Sequence, residues 1–158
     1  MKEEQNILTD NFGRKHSYLR ISLTERCNLR CTYCMPEEGV GLSPKSHIMS
    51  FDEIYTIAKT FVDNGVTKIR LTGGEPLIRK DVSVVLKKLA TLPVELAITT
   101  NAVSVDRFID TFKECGIQNI NVSLDSLNAD KFEEITRRNY FEKVYNNILL
   151  LVKNGFNV

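Results

Sequence analysis

The run YLRISL, residues 18–23, is followed after three residues by CNLRCTYC, residues 27–34. In the first run, Leu19, Ile21 and Leu23 alternate with polar residues, which is typical of a β-strand that buries one face. The second run places three cysteines at the spacing C-x3-C-x2-C. Three thiolates are an awkward number for a disulfide scaffold or a closed zinc site, so they indicate a metal centre with one position left open.

Length and charge place the chain in a broad class. Its 158 residues are enough for one domain with a sizeable core, and its net charge of +1 gives no reason to expect a nucleic acid or membrane partner. The N-terminus lacks the apolar segment of a signal peptide, and no apolar run approaches the roughly 18 residues that span a bilayer. We therefore expect a cytoplasmic protein, in which clustered cysteines bind metal or do chemistry rather than form disulfides.

Strand-like and helix-like patterns alternate along the whole chain. Strands are predicted at 18–23, 67–71, 94–99 and 119–124, with the start of another at 156–158. Ser50 and Glu53 form a capping box that opens a helix ending at Asn64. Asp81 is predicted to cap a second helix and Ser104 to open a third, with further helices at 129–136 and 141–153. This alternation indicates βαβ units on a parallel sheet, and therefore an α/β fold.

All four strands are apolar on one side only. The other side carries small, polar or cationic residues, among them Arg20, Arg70, Thr99 and Ser123. Burying unpaired arginines would cost on the order of several kcal/mol each, so the pattern predicts a sheet curled around a polar cavity that holds water or an anion. Two alternatives stay open: an open sheet with one face in water, and arginines that pair with acids such as Glu75 or Asp125.

Distinctive residues follow each predicted strand at its carboxyl end, where parallel α/β sheets bind their ligands. The cysteine loop follows the first strand, Gly73-Gly74-Glu75-Pro76 the second, Thr99-Thr100-Asn101 the third and Ser123-Leu124-Asp125 the fourth. Paired glycines permit positive φ and let a ligand approach bare backbone. We expect these groups to converge on one rim of the sheet.

The cysteine loop favours a [4Fe–4S] cluster as its metal centre. Such a cluster normally takes four thiolates, so three cysteines would leave one iron free to bind a small molecule. The alternative is a zinc site, which would need a fourth ligand from His16, His47 or Cys115, none at a finger-like spacing. Cys115 is instead expected to be a small buried residue near the end of a helix.

These residues resemble the motifs of a known family. The cysteine spacing, with Tyr33 before the last cysteine, resembles the motif of the radical S-adenosylmethionine (SAM) superfamily, and TGGEP at residues 72–76 resembles its GGEP motif. Further segments resemble the GTP 3′,8-cyclases, the family of molybdenum cofactor biosynthesis protein A. They lie at residues 12–14, 19–28, 33–36, 69–74 and 120–125. The cysteine and GGEP motifs identify only the superfamily, whereas segments 19–28 and 33–36 are the more specific part.

The resemblance implies a fold and a reaction. The fold is a partial (βα)6 TIM-like barrel of the radical SAM type, truncated here after about four βα units. The cluster would be held by Cys27, Cys31 and Cys34, and its open iron would bind SAM, whose one-electron cleavage yields a 5′-deoxyadenosyl radical. The reaction implied is the conversion of GTP to (8S)-3′,8-cyclo-7,8-dihydroguanosine 5′-triphosphate.

The resemblance also assigns ligand contacts by motif position. The residues expected to contact SAM are Tyr33, Gly74 and Ser123, and those expected to contact GTP are Arg20, Arg70 and Thr99. No catalytic side chain is assigned beyond the cluster ligands. The partners implied are GTP, SAM and an electron donor, with no nucleic acid and no membrane, and a homodimer of the full-length protein stays open.

Two features depart from the family pattern. Ala102 stands where the family usually has glycine after Thr-Thr-Asn. The chain stops at Val158 within a predicted strand, so we expect residues 1–17 to form a lead-in segment and residues 18–158 an incomplete radical SAM core. A second [4Fe–4S] cluster is then expected only in a C-terminal part. The alternatives are another radical SAM enzyme, of the peptide-modifying or haem-pathway type, and a zinc-stabilised binding module without catalysis.

Overall fold

The computed structural model of the chain describes residues 7–36 and 38–158. Four strands form one parallel sheet: β1 (Tyr18–Ser22), β2 (Lys68–Thr72), β3 (Glu95–Thr100) and β4 (Asn119–Val122). The strands neighbour one another in chain order, as in the wall of a barrel, and lack the reversal of order that marks a doubly wound sheet. The predicted α/β fold with a partial barrel wall is therefore confirmed.

Within the described residues, five α-helices connect or follow the strands. They are α1 (Phe51–Asp63), α2 (Val82–Leu89), α3 (Ile109–Glu114), α4 (Ala129–Thr136) and α5 (Phe141–Lys153). The capping box of α1 is confirmed, since the Ser50 hydroxyl accepts from the Glu53 amide at 3.2 Å and the Glu53 carboxylate accepts from the Ser50 amide at 2.7 Å. Such a cap stabilises a helix by about 1 kcal/mol.

Two other helix starts differ from their prediction. Asp81 holds the N-cap position of α2 with φ of 56°, and its side chain makes no capping hydrogen bond, so its predicted capping role is wrong. Ser104 opens only a 3-10 turn, Val105–Arg107, and α3 begins at Ile109. The Ser104 hydroxyl accepts from Arg107 Nη2 at 2.9 Å instead of from a helix amide, so it does not cap an α-helix.

The helices cover the apolar face of the sheet. Ile69, Leu71, Ile98 and Ile120 are fully buried there, in one core with Ile54, Ala58, Val85, Leu86 and Leu89 of the helices. The strand register places Arg20 opposite Arg70, Arg70 opposite Ala97, and Ala97 opposite Asn119. The predicted parity is thus confirmed, and the face with the arginines is the one that the helices leave free.

The chain continues past α5 into the predicted next strand. Asn157 pairs in parallel with Asn119 beside β4, since its amide donates to the Gln118 carbonyl at 2.9 Å and its carbonyl accepts from the Ile120 amide at 2.8 Å. The wall therefore begins to extend on the β4 side. In the described part of the chain, every helix is too short or too polar to cross a lipid bilayer.

Candidate functional site

A cavity of about 230 Å³ lies at the carboxyl ends of the strands. It is lined by Arg20, Cys27, Leu29, Cys31, Tyr33, Cys34, Thr72, Gly73, Gly74, Thr99, Thr100, Asn101, Ser123 and Asp125. The structure thus brings eight of the nine sequence-predicted site residues to one cavity, and Arg70 lies next to it. Two larger cavities, of about 520 and 340 Å³, lie along residues 24–26 and the connection at 38–51. Cys27 is the one predicted site residue that lines either of them.

The cysteine loop turns so that its three cysteines line this cavity. The Cys31 carbonyl accepts from the amides of Cys34 at 3.0 Å and Met35 at 2.9 Å, which closes a tight turn around the last cysteine. Cys27 and Cys31 are half-buried, Cys34 is exposed, and all three are free thiols. Burial raises the pKa of the Cys27 and Cys31 thiols, so in the absence of a metal both favour the protonated form.

The cysteine loop is held in place by the end of α4. The amides of Arg30 and Thr32 donate to the carbonyls of Thr136 and Ile135 at 3.0 and 2.9 Å. Arg137 extends one guanidinium nitrogen to the carbonyls of both Arg30 and Met35, each at 3.2 Å. Sequence reasoning missed this contact because more than a hundred residues separate Arg137 from the loop, and no local pattern relates them.

The glycine pair packs against the backbone that precedes the cysteine loop. Gly73 does adopt positive φ, at 150°. A Cβ on Gly73 would lie 2.5 Å from the Thr24 carbonyl oxygen, and one on Gly74 would lie 2.3 Å from the Arg26 carbonyl oxygen. The missing side chains therefore make room for the backbone that leads into the cysteine loop. Both glycines also line the cavity, so the approach of a ligand to their bare backbone stays a prediction.

Glu75 is buried at 1% exposure and ties two of the rim loops together. One carboxylate oxygen accepts from the Leu77 amide at 3.0 Å and the Thr100 hydroxyl at 2.8 Å, and the other accepts from the Asn101 amide at 2.7 Å. Burial raises its pKa in spite of these three donors. The alternative that Glu75 pairs with an arginine of the sheet is therefore wrong.

The arginines on the free face of the sheet have no carboxylate partner among the ion pairs of the described residues. Arg70 is half-buried, and its guanidinium donates to the Tyr18 hydroxyl at 2.6 Å, the Ile98 carbonyl at 3.3 Å and the Thr99 hydroxyl at 3.4 Å. Arg20 is exposed at the cavity. Arg20 at the cavity and Arg70 beside it place two positive charges there, which favours an anionic ligand.

A tyrosine bridges the cavity from the cysteine loop to the loop after β4. The Tyr33 hydroxyl donates to both oxygens of the Asp125 carboxylate, at 3.0 and 3.2 Å, while 68% of its side chain stays exposed. Burial of the hydroxyl and its bond to Asp125 raise the pKa of Tyr33. Ser123 lines the same cavity, and its amide donates to the Thr100 carbonyl at 3.0 Å.

The donor set fits an iron–sulfur cluster better than zinc. Within residues 7–36 and 38–158, no three His, Cys, Asp or Glu side chains are grouped closely enough to hold a metal ion. The three thiols nevertheless share one cavity, and thiolate sulfur is the ligand that iron–sulfur clusters use. The zinc alternative needed His16, His47 or Cys115, and none of these lines the cavity.

Comparison with known proteins gives matches over most of the chain. The model of the radical SAM superfamily matches residues 21–158. Molybdenum cofactor biosynthesis protein 1 of Drosophila melanogaster is 50% identical over 151 residues, which are 94% of this chain and 27% of that protein. The protein of Arabidopsis thaliana named "GTP 3′,8-cyclase, mitochondrial" is 50% identical over 154 residues, which are 96% of this chain and 40% of that protein. The chain thus spans less than half the length of both relatives.

A solved structure shows the same fold. SuiB of Streptococcus suis, in its crystal structure bound to S-adenosylmethionine, matches with a TM-score of 0.70 at 22% sequence identity. The match covers 89% of this chain and 30% of SuiB. At this identity the likeness concerns the fold alone.

Proposed function

The chain belongs to the radical SAM superfamily, and from this premise we propose that it forms the N-terminal part of a GTP 3′,8-cyclase of molybdenum cofactor biosynthesis. Membership implies SAM and a [4Fe–4S] cluster and confirms the resemblance drawn from the cysteine and GGEP motifs. The observation that carries the proposal is the single cavity shared by three free cysteines, the GGEP loop and the arginine-bearing face of the sheet.

Cys27, Cys31 and Cys34 are proposed to hold the cluster. Coordination deprotonates a thiol, so iron binding overcomes the raised pKa of the two half-buried cysteines. When bound, the cluster supplies the electron that cleaves SAM and so produces a 5′-deoxyadenosyl radical. The protein contributes a fixed loop for the ligands, and the Arg137 side chain and α4 backbone keep that loop in position.

SAM is proposed to lie on the cysteine-loop side of the cavity, against Tyr33, Gly74 and Ser123. Tyr33 is held by Asp125, so its ring has a defined place at the mouth of the cavity. Gly74 is fixed by the bond from its amide to the Thr24 carbonyl at 2.6 Å. A rigid rim of this kind holds a cofactor in one orientation, which a radical reaction needs to avoid side reactions.

GTP is proposed to lie deeper, against Arg20, Arg70 and Thr99. The planar guanidinium group is suited to hydrogen bonds with phosphate oxygens. The triphosphate would be the anionic partner of the two arginines, which form no ion pair with a carboxylate of the described residues. Arg70 is already oriented by Tyr18 and Thr99, so little side-chain freedom is lost on binding.

The experiment is anaerobic reconstitution with iron and sulfide, followed by metal analysis and assays for 5′-deoxyadenosine and cyclised GTP. We expect about four irons per cysteine loop in the wild-type chain and their loss after Cys27→Ser, with Cys115→Ser as the matched control. Stoichiometric zinc without 5′-deoxyadenosine release would refute the radical SAM assignment and favour the zinc-stabilised module.

Substrate identity is tested separately, in a protein of the relatives' full length. Cyclised GTP from that protein, lost after Arg70→Ala, would support the cyclase over a peptide-modifying or haem-pathway enzyme. We expect no GTP cyclisation by the 158-residue chain alone, because the relatives are more than twice as long. Cyclised GTP from the isolated chain would contradict this expectation.

The remaining expectations belong to the same proposal. A cytoplasmic location is supported by the four free cysteines, since disulfides are rare in reducing compartments. Residues 1–17 are proposed as a lead-in and 18–158 as the radical SAM core. An electron donor is required to reduce the cluster, and a second cluster and a homodimer are proposed only for the longer protein.

A further inference from the structure

Asn101, in the loop after β3, bonds to two other loops of the rim, the GGEP loop and the cysteine loop. It is 7% exposed, and its backbone amide donates to the Glu75 carboxylate at 2.7 Å. Its side-chain nitrogen donates to the Asn28 side-chain oxygen at 2.7 Å and lies 3.8 Å from Cys27 Sγ. Since a side-chain amide has two hydrogens, it can serve the oxygen and the sulfur together.

The orientation of this amide is set by its own loop. The Asn101 side-chain oxygen accepts from the Val103 amide at 3.1 Å. A flipped side chain would place its NH2 group against that amide and its oxygen against Cys27 Sγ, which would lose both hydrogen bonds. The hydrogen-bond network therefore requires that the nitrogen, a donor, faces the sulfur.

The loop that carries Asn101 is also hydrogen-bonded to α5. The side-chain amide of Asn147, buried in α5, donates to the Ala102 carbonyl at 2.7 Å and the Val103 carbonyl at 3.3 Å. Ala102 is fully buried with φ of 60°, a left-handed conformation that turns the chain directly after Asn101. Because Glu75 binds the Asn101 amide and Asn147 binds the two carbonyls that follow it, Asn101 has little freedom to move away from Cys27.

Cys27 receives a second donor from its own loop, because the Leu29 amide lies 3.4 Å from Cys27 Sγ. Hydrogen bonds to a ligating sulfur draw electron density from it and raise the reduction potential of an iron–sulfur cluster. Asn101 therefore stands where it can act on the electronic properties of a cluster ligand without binding iron.

We propose that Asn101 is a positioning residue that donates an N–H···S hydrogen bond to Cys27 and thereby raises the reduction potential of the cluster. The proposal rests on the proposed function, because it requires Cys27 to be a cluster ligand. It goes beyond that function by assigning a role to a residue outside the proposed cluster ligands and SAM and GTP contacts, whose bonds reach the GGEP loop and the cysteine loop.

The test compares Asn101→Leu, Asn101→Asp and wild type in the 158-residue chain, reconstituted anaerobically with iron and sulfide. Leucine keeps the shape and removes the donor, and aspartate removes the donor and adds a negative charge. The control is Asn146→Asp, which adds the same charge at an exposed position of α5. The readouts are the midpoint of an EPR-monitored redox titration, the iron content, and the unfolding midpoint of each metal-free chain.

We expect the reduction potential to become more negative from wild type to Asn101→Leu to Asn101→Asp, with Asn146→Asp equal to wild type. Loss of iron from a variant whose metal-free chain unfolds like wild type would assign Asn101 to cluster retention and would overturn the proposed effect on the potential. An unchanged potential in both Asn101 variants, or unfolding of both metal-free variants, would overturn it. A wild-type chain that binds no cluster would instead refute the proposed function, and with it the premise.

Discussion

Replacing Gly74 with alanine puts a methyl group against the backbone that enters the cysteine loop. The new Cβ would lie 2.3 Å from the Arg26 carbonyl oxygen and 2.7 Å from the Glu25 carbonyl oxygen. Both are main-chain atoms, so no side-chain rotation relieves the contact. The two segments must separate by about 0.7 Å to bring the shorter distance to 3.0 Å, the lower limit for real Cβ contacts.

This separation weakens two hydrogen bonds that join the loops, from the Gly74 amide to the Thr24 carbonyl at 2.6 Å and from the Glu75 amide to the Arg26 carbonyl at 2.7 Å. Each is worth about 0.5–1.5 kcal/mol, and overpacking adds on the order of 1–3 kcal/mol. We therefore expect Gly74→Ala to lower the free energy of unfolding by about 4 kcal/mol. This is a large part of the roughly 5–15 kcal/mol that holds a domain folded.

The assay is urea unfolding of the metal-free chain in reducing buffer, followed by circular dichroism and extrapolated to water. Gly41→Ala and Gly116→Ala are the matched controls, since a Cβ at either position meets nothing within 4 Å. Gly116 has φ of 64°, so alanine there should cost about 1–2 kcal/mol, whereas Gly41→Ala should change little. A loss at Gly74 no larger than that at Gly116 would refute the close-packing argument.

Three further predictions concern the loops around Glu75 and Ala102. Because burial raises the pKa of Glu75 above its ordinary 4.5, the folded state binds this proton more tightly than the unfolded state. The free energy of unfolding of wild type, relative to that of Glu75→Gln, should therefore fall as the pH rises from 4.5 through the folded pKa, by at most about 1.4 kcal/mol per pH unit. Urea unfolding of both proteins across this pH range measures the difference. A difference that stays constant or rises with pH would count against the prediction. Ala102→Gly relieves the strain of a left-handed backbone, but it loses a buried methyl group and raises the entropy of the unfolded chain, so the free energy of unfolding should change by less than about 1 kcal/mol. Ala102→Val should lower the free energy of unfolding by more than about 2 kcal/mol. Equal effects of the two variants on the thermal midpoint would contradict this. Asn147→Leu leaves the Ala102 and Val103 carbonyls without their donor and should cost about 2–3 kcal/mol in urea unfolding, while a loss under 0.5 kcal/mol would show that the donor is dispensable.

The departure at Ala102 illustrates what a structure adds to a motif. The family pattern has glycine there, and the left-handed φ of Ala102 gives the physical reason for that preference. Alanine is accommodated because its methyl group is fully buried and its carbonyl is held by Asn147. The structure therefore shows how the backbone accommodates alanine at this position.

Local rules were enough to predict the strands, the capping box of α1 and the free face of the sheet. Alternation with a period of two is a property of neighbouring residues, so Arg20, Arg70, Thr99 and Ser123 could be placed on one side before the structure was known. The same local rules failed at Ser104, because its hydroxyl accepts from a side chain, Arg107, and no local rule anticipates that choice.

The chemistry of the cysteine loop was determined by the sequence, whereas its support was decided by the tertiary structure. The spacing of three cysteines is readable in eight residues. The contact of Asn101 with Cys27 joins residues that are 74 positions apart in the chain, and the hydrogen bond from Arg137 to the Arg30 carbonyl joins residues that are 107 positions apart. Such pairs form only after the strands lie side by side, because the fold then brings their carboxyl ends to one rim. No periodicity in the chain encodes that meeting.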